Sequence, residues 1–486
     1  MAATNKVAFC LVIWLLACTS TQTPEPEPEL KRADLLNPQN CQVCHADQFQ
    51  DWAASMHAYA SDDPVFQAMN ARGQRETQGK LGTFCLNCHA PQAVKDGIVQ
   101  GNEDLSKLAP AYRGITCYYC HAVESVTDTH NNPLQLATDL VMRGPIADPL
   151  HNTAHRSGYS PLHDRDQLAS ATLCGSCHDL QTTLGAHLER GFEEWQKSVF
   201  NQAPGGNTCG QCHMPQSTVQ KPVAQYPGAP IRRVHSHLFP GVDVALTPFP
   251  DHELQRTETQ QFLDTALATA VCVQKVGTGA RLSVILDNLR GGHNFPSGAS
   301  QDRRVWVELI AKKAGKVIFT SGEFDDHALL DFQTDPDLWL LRDCTFDPNG
   351  KRVHMFWDVA QVVANALPAQ QTFNPTDPRF YQSHVRAQYP ANGQNLQQFP
   401  DEVTMRVRMQ PVAREVLEDL VLSGDMSATV MEAVETLQVG KTLTWTQDSA
   451  THTFVQDGLP VSCRTDTALD PRADTVPATR NNACEK

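Results

Sequence analysis

Cys41-Gln-Val-Cys44-His45, Cys85-Leu-Asn-Cys88-His89, Cys117-Tyr-Tyr-Cys120-His121, Cys174-Gly-Ser-Cys177-His178 and Cys209-Gly-Gln-Cys212-His213 repeat one pattern five times, C-x-x-C-H. Two thiols three positions apart lie on one side of a short turn, and the next residue is a histidine held beside them. Covalent haem suits this spacing: the thiols form thioethers with the two vinyl groups, and the histidine binds the iron as proximal ligand. A zinc site would need C-x-x-C pairs grouped for tetrahedral closure, with no histidine required after each pair. A thioredoxin-like C-x-x-C would occur once, within a βαβ pattern. Disulfides between cysteines so close together would be strained. The residues therefore predict five covalently bound haem c groups, with His45, His89, His121, His178 and His213 as proximal iron ligands.

The intervals between successive first cysteines are 44, 32, 57 and 35 residues, too irregular for an array of identical modules. Cys41 to His213 spans 173 residues, so roughly 35 residues serve each haem, too few to build a conventional core around each. The porphyrins must themselves be core, packed close together as electron transfer requires, with few long helices and many connections.

Each iron has a sixth position, and a histidine there makes an electron-transfer centre. Besides the proximal five, His57, His130, His151, His155, His163, His187, His235 and His237 precede residue 240, enough to leave no haem necessarily open. His57 stands first: it follows His45 by twelve residues through a helical pattern, with Trp52 placed to pack on a porphyrin. His151 and His155 are at helical spacing. His235 and His237 share one side of an extended segment, so that one ligates and the other can reach a propionate. His293, between glycines in Gly291-Gly-His-Asn-Phe-Pro-Ser-Gly298, is a ligand reaching back from beyond the haem segment. The expected distal set is His57, His155, His237 and His293. Met56 and Met214 are alternative axial sulfurs, although such residues more often pack in cores.

Outward from the motifs, residues 1–18 read as an export signal. An apolar run of eleven residues, Val7 to Ala17, is too short to span a bilayer. Its end, Leu15-Leu16-Ala17-Cys18, resembles a bacterial lipoprotein signal, which implies a lipid anchor on Cys18. Residues 19–36 alternate Pro and Glu and read as a stiff solvated tether. From about Ala270, short β-favouring runs separated by Gly, Asp and Pro suggest an antiparallel sandwich. Val271 to Val273, Ala280 to Leu286, Arg304 to Ala311, Lys316 to Thr320 and His354 to Val359 are the clearest. Glu402 to Met409 alternates as a half-buried strand, and Val412 to Leu422 and Ser427 to Leu437 read as helices broken at Gly424. The expected fold class is multidomain. A mainly α and irregular multihaem domain with few long helices (37–245) precedes a β-sandwich-like domain with short C-terminal helices (262–450) and a polar tail (451–486). Cys272, Cys344, Cys463 and Cys484 suggest two disulfides, with three connectivities open. The second half shows no paired nucleophile and base and no phosphate loop, and no catalytic residue is assigned.

The hydrophobic content of 41% with 19% charged residues excludes a polytopic membrane protein and a wholly disordered chain. A net charge of −15 argues against nucleic acid as a partner. These readings predict an exported carrier in the bacterial periplasm or cell envelope, serving other redox proteins such as cytochromes or membrane quinol oxidoreductases. A catalyst acting on a small nitrogen or sulfur compound at one open haem is the alternative.

The motifs, with Trp52-x-x-Ser55-x-His57-Ala58 and Glu194-Trp195-Gln-Lys-Ser198 before Cys209, resemble the multihaem c-type cytochrome superfamily. It includes nitrification-associated tetrahaem cytochromes, hydroxylamine oxidoreductase and pentahaem nitrite reductase. The resemblance covers roughly residues 37–240 and implies His57 as a distal ligand. The stretches Gly291 to Gly298 and Arg303 to Leu309 are more weakly similar to a β-rich domain appended to some bacterial members. One departure matters: the usual pentahaem nitrite reductase carries a C-x-x-C-K motif, whereas all five motifs here end in histidine. Hydroxylamine oxidoreductase has more haems and a tyrosine cross-link; Tyr118 and Tyr119, inside the third motif, are more simply read as packing on haem.

Overall fold

The structure, a computed structural model, describes residues 30–150, 152, 154–202, 205–467, 469–471, 476–477 and 484. The export signal, Cys18, most of the tether and His151 lie outside the described residues. Arg32–Leu36, the end of the expected tether, is a helical turn that buries Leu35 and Leu36 against Tyr118 and Ala122. Two adjacent leucines outweigh the extended preference of the Pro-Glu run before them.

Among the described residues through 213 only one helix, Pro64–Glu76, exceeds eight residues. Its start is set by Pro64 at the first turn and by Asp63, whose carboxylate accepts from Val65 N at 2.9 Å. The motifs ride on short turns of helix whose starts are written in the sequence. Thr116 caps Cys117–His121, and Thr208 with Gln211 forms a capping box on Cys209–His213. Between the motifs run two-stranded ribbons, including Leu180–Gln181 with His187–Glu189 and Gln216–Pro222 with Ile231–His235. Apolar residues here gather in small clusters, such as Phe192, Trp195 and Ala171.

The second half is a sandwich. One sheet has the order His452–Gln456, Leu459–Thr465, Ala268–Val276, Gly279–Asp287, His384–Tyr389, Val476–Pro477. The other runs Lys316–Ser321, Arg304–Lys313, Glu402–Gln410, Leu437–Thr446. All these pairings are antiparallel except the last of the first sheet. Val403, Met405, Val407 and Met409 are buried as the alternation predicts, and meet Val271, Val273, Leu282 and Val284 from the opposite sheet in one core.

Three expectations change. His354–Val359 is not a strand but a loop with a 3-10 turn, Phe356–Asp358. The second C-terminal helix is shorter, Ala428–Ala433, and Leu437 opens a strand. Strands His452–Gln456 and Leu459–Thr465, expected in a polar tail, complete the first sheet, because Val461 and Cys463 turn inward at every second position. The disulfides are Cys272–Cys463 and Cys344–Cys484. The first joins residues paired across adjacent strands.

The halves are locked together by Arg72 with Asp419 (2.7 Å), Arg75 with Asp425 and Arg303 with Asp243 (2.9 Å). Among the described residues no helix is long and apolar enough to cross a membrane.

Candidate functional site: a cavity lined by ten thiols and eleven histidines

One cavity of about 1830 Å³ runs through the N-terminal half, and all ten motif cysteines and all five motif histidines line it. His57, His155, His163, His235, His237 and His293 line it as well. His57, His89, His121, His178, His213 and His293 are deeply enclosed, so any exposure they keep is exposure to this cavity.

Four motif histidines face a second histidine. The ring centres are 6.2 Å apart for His45 with His155, 6.1 Å for His178 with His57, 6.5 Å for His121 with His237 and 6.2 Å for His213 with His293. A metal bound by two imidazole nitrogens at about 2 Å each separates ring centres by roughly 6 Å. Hydrogen bonding orients the rings accordingly. Nδ1 lies against a backbone carbonyl in His45 (Val223), His121 (Arg143), His213 (Pro240), His155 (Arg156), His237 (His235) and His293 (Asn294). An Nδ1–H given to a carbonyl leaves the Nε2 lone pair free to bind a metal. Burial also keeps the rings neutral, as a ligand must be: it pulls His57 down to about 3, and His213 and His237 to about 4.

The second motif differs. His89 Nδ1 meets Ala60 O at 3.0 Å, but its ring lies flat against Phe66, with centres 3.9 Å apart and planes 1° apart. Phe66 therefore flanks the imidazole, and among the described ring contacts His89 has no histidine partner. His163 also lies beside His121, with ring centres 5.6 Å apart, but its Nε2 meets Cys120 O at 2.8 Å. His235 Nε2 lies 3.1 Å from Gln216. His130 and His187 pack edge-on against each other away from the cavity. Trp52 lines the cavity with its indole N–H tied to Ile115 O at 2.7 Å.

The thiols lie close together across motifs. Cys41 and Cys117, Cys174 and Cys209, and Cys177 and Cys88 are near enough to shift one another's ionisation. Cys120 lies within electrostatic range of Cys174 and Cys177. Burial pushes Cys85 and Cys120 up to about 12, so these are neutral thiols. Among the described residues no three or more His, Cys, Asp or Glu side chains converge on one metal position. Two-histidine pairs thus fit a metal that brings its own equatorial ligands, as a porphyrin does, and the flanking thiols supply its covalent anchors.

Sequence reasoning found His57, His155, His237 and His293, all of which the fold brings opposite motif histidines. It left open which motif each would serve, and it missed the isolation of His89. The only signal there was Phe66, an aromatic residue on the helix that starts at Pro64.

Comparison with known proteins agrees. Residues 40–122, which contain the first three motifs, match the family described as cytochrome c554 and c-prime. No curated protein matches the chain. The fold is similar to that of a penta-haem cytochrome c552 from Thermochromatium tepidum, with a TM-score of 0.56 and 17% identity. That likeness covers 84% of this chain and 97% of the other. Residues 40–122 are thus similar to the cytochrome c554 and c-prime family, and the fold is similar to that of a penta-haem cytochrome.

Proposed function

We propose that the protein is a pentahaem electron carrier. Cys41 and Cys44, Cys85 and Cys88, Cys117 and Cys120, Cys174 and Cys177, and Cys209 and Cys212 each hold one haem c. His45 with His155, His178 with His57, His121 with His237 and His213 with His293 are the axial pairs of four of them. The observation that carries this reading is the recurrence of the same ring-to-ring spacing four times around one thiol-lined cavity.

Bound haem supplies one-electron chemistry at iron, and the chain's part is to hold the groups close and rigid. The thiol contacts give an order of neighbours: first motif with third, third with fourth, fourth with fifth, and second with fourth. The fourth motif is then a branch point. His57 is central to it, with His178 on one face and Phe239 against its edge at 4.4 Å. Bis-histidine ligation blocks substrate at four sites and keeps iron low-spin in both oxidation states, which limits rearrangement on electron transfer.

The leader and the Leu15-Leu16-Ala17-Cys18 pattern support export and a lipid anchor, with the Pro-Glu tether holding a cytochrome body at 37–245 and a sandwich beyond it off a membrane surface. Partners are other redox proteins, cytochromes or a membrane quinol oxidoreductase. Mass spectrometry of the mature protein tests the core of this reading. Five added haem masses, and an acylated Cys18 as first residue, are expected; an unmodified polypeptide refutes it.

His89 favours a second reading, a site acting on a small nitrogen or sulfur compound. Among the described residues no histidine ring pairs with His89, and an iron held there without one would keep an open position. Ferric electron paramagnetic resonance separates the two: one high-spin haem that shifts with nitrite, hydroxylamine or sulfite supports catalysis there, and an unresponsive spectrum refutes it.

A further inference from the structure

The sandwich core is far from the motifs in sequence, yet its loop Gly291–Gly298 carries His293 to the cavity. A loop that must place one imidazole needs its backbone fixed, and three polar side chains, one of them fully buried, do this. Asn288, fully buried, donates from its amide to His293 O at 2.9 Å and accepts from Gly291 N at 3.1 Å. Asn294 accepts from Ala369 N at 3.1 Å through its side chain, and its own N–H donates to Glu194 at 3.0 Å. His293 Nδ1 lies 3.0 Å from Asn294 O, so the residue whose N–H Glu194 holds is the same one whose carbonyl orients the ring.

Glu194 belongs to the other half of the molecule, on the helical turn Gly191–Lys197 that precedes the fifth motif. Arg190 steadies its second oxygen at 3.5 Å. Beside it, Trp195 receives the loop: a Cβ at Gly292 would stand 3.2 Å from the indole. A Cβ at Gly291 would meet Asn288 Oδ1 at 2.5 Å. An alanine at Gly291 would therefore displace the Asn288 side chain, and one at Gly292 would need the indole to give by a few tenths of an ångström. The Glu194-Trp195 pair, which has no ligand role of its own, forms the seat for this loop.

We propose that Glu194, Asn288 and Asn294 form a clamp that delivers His293 to the haem of the fifth motif, making the sandwich a ligand donor whose docking completes that centre. The proposal rests on the pairing of His213 with His293. These are positioning residues: the carboxylate acts only by accepting a backbone hydrogen bond, so an amide oxygen can replace it.

The test is the number of high-spin haems per chain in the ferric holoprotein, by electron paramagnetic resonance and magnetic circular dichroism, with haem content measured separately. His293→Ala is expected to raise that number by one. Glu194→Ala is expected to raise it by up to one, Glu194→Gln to restore the original value, and added imidazole to reverse Glu194→Ala and His293→Gly alike. Gly291→Ala, which drives the Asn288 amide off His293 O, reports independently if Glu194→Ala does not accumulate. If His293→Ala raises the count while Glu194→Ala and Gly291→Ala leave it unchanged, the clamp is wrong and the ligand pairing stands. If His293→Ala itself changes nothing, the pairing and the clamp fall together.

Discussion

Replacing Cys272 and Cys463 by alanine probes how the sandwich supports the haem cavity. The two cysteines are paired in register on adjacent strands, 2% and 0% exposed, and 191 residues apart in sequence. Closing a loop of that length removes denatured-state entropy worth roughly 5 kcal/mol in the chain-entropy treatment. Removing native disulfides typically costs about 2–5 kcal/mol, and the buried position adds the loss of two sulfur atoms from a packed face. We expect the sandwich to lose about 2–5 kcal/mol of stability, a large part of what holds an ordinary domain folded. Guanidinium titration of the holoprotein, followed by far-ultraviolet circular dichroism and by the ferric haem spectrum, measures it. The sandwich transition should move to lower denaturant, and one haem should change spin state with it, because His293 leaves with the loop. Unchanged midpoints at an unchanged slope would refute the energetic argument. A shifted transition with all haems unaffected until the second half of the titration would refute the link between sandwich and cavity.

Three further outcomes are expected. His57→Gly converts the haem of the fourth motif to high spin without loss of covalent haem, and imidazole at millimolar concentration reverses it; low-spin spectra throughout would contradict the pairing with His178. Asp302 is buried in the cavity wall and pushed from 3.8 up to about 7, by burial first and by Glu189 among its neighbours. The folded protein therefore holds a proton that the unfolded chain has released, so this group makes stability fall as pH rises from about 4 through about 7. Asp302→Asn should flatten that part of the stability profile, and an unaltered slope would show that the group is not protonated in the fold. Because the chain carries a net charge of −15, electron transfer from a basic partner should slow as ionic strength rises; stopped-flow rates indifferent to salt would remove charge from the docking.

The haem motifs were legible because their chemistry is local. Two thiols and a histidine within five residues meet on a turn whatever the rest of the chain does, and Thr116 and Thr208 mark where those turns begin. Strand Glu402–Gln410 was legible for a similar reason, since its period of two survives in any sheet that buries one face. His354–Val359 misled because apolar residues buried in a loop, as Met355 and Val359 are, and those in a strand look alike over six positions. The strands of residues 452–465 were lost among polar neighbours, although Val461 and Cys463 alternate.

Residue order along the chain thus determined the five thiol-histidine motifs, the presence of a sandwich and the pool of histidines available to the cavity. Which histidine faces which motif was decided only when chain segments up to 121 residues apart, such as those carrying His45 and His155 or His57 and His178, were folded around one cavity. The same holds for the isolation of His89 beside Phe66 and for the reach of His293 across from the sandwich. Axial pairing is a distance of about six ångströms between rings remote in sequence, and no local pattern encodes such a distance; burial, backbone carbonyls that take up Nδ1, and the clamp on the His293 loop do.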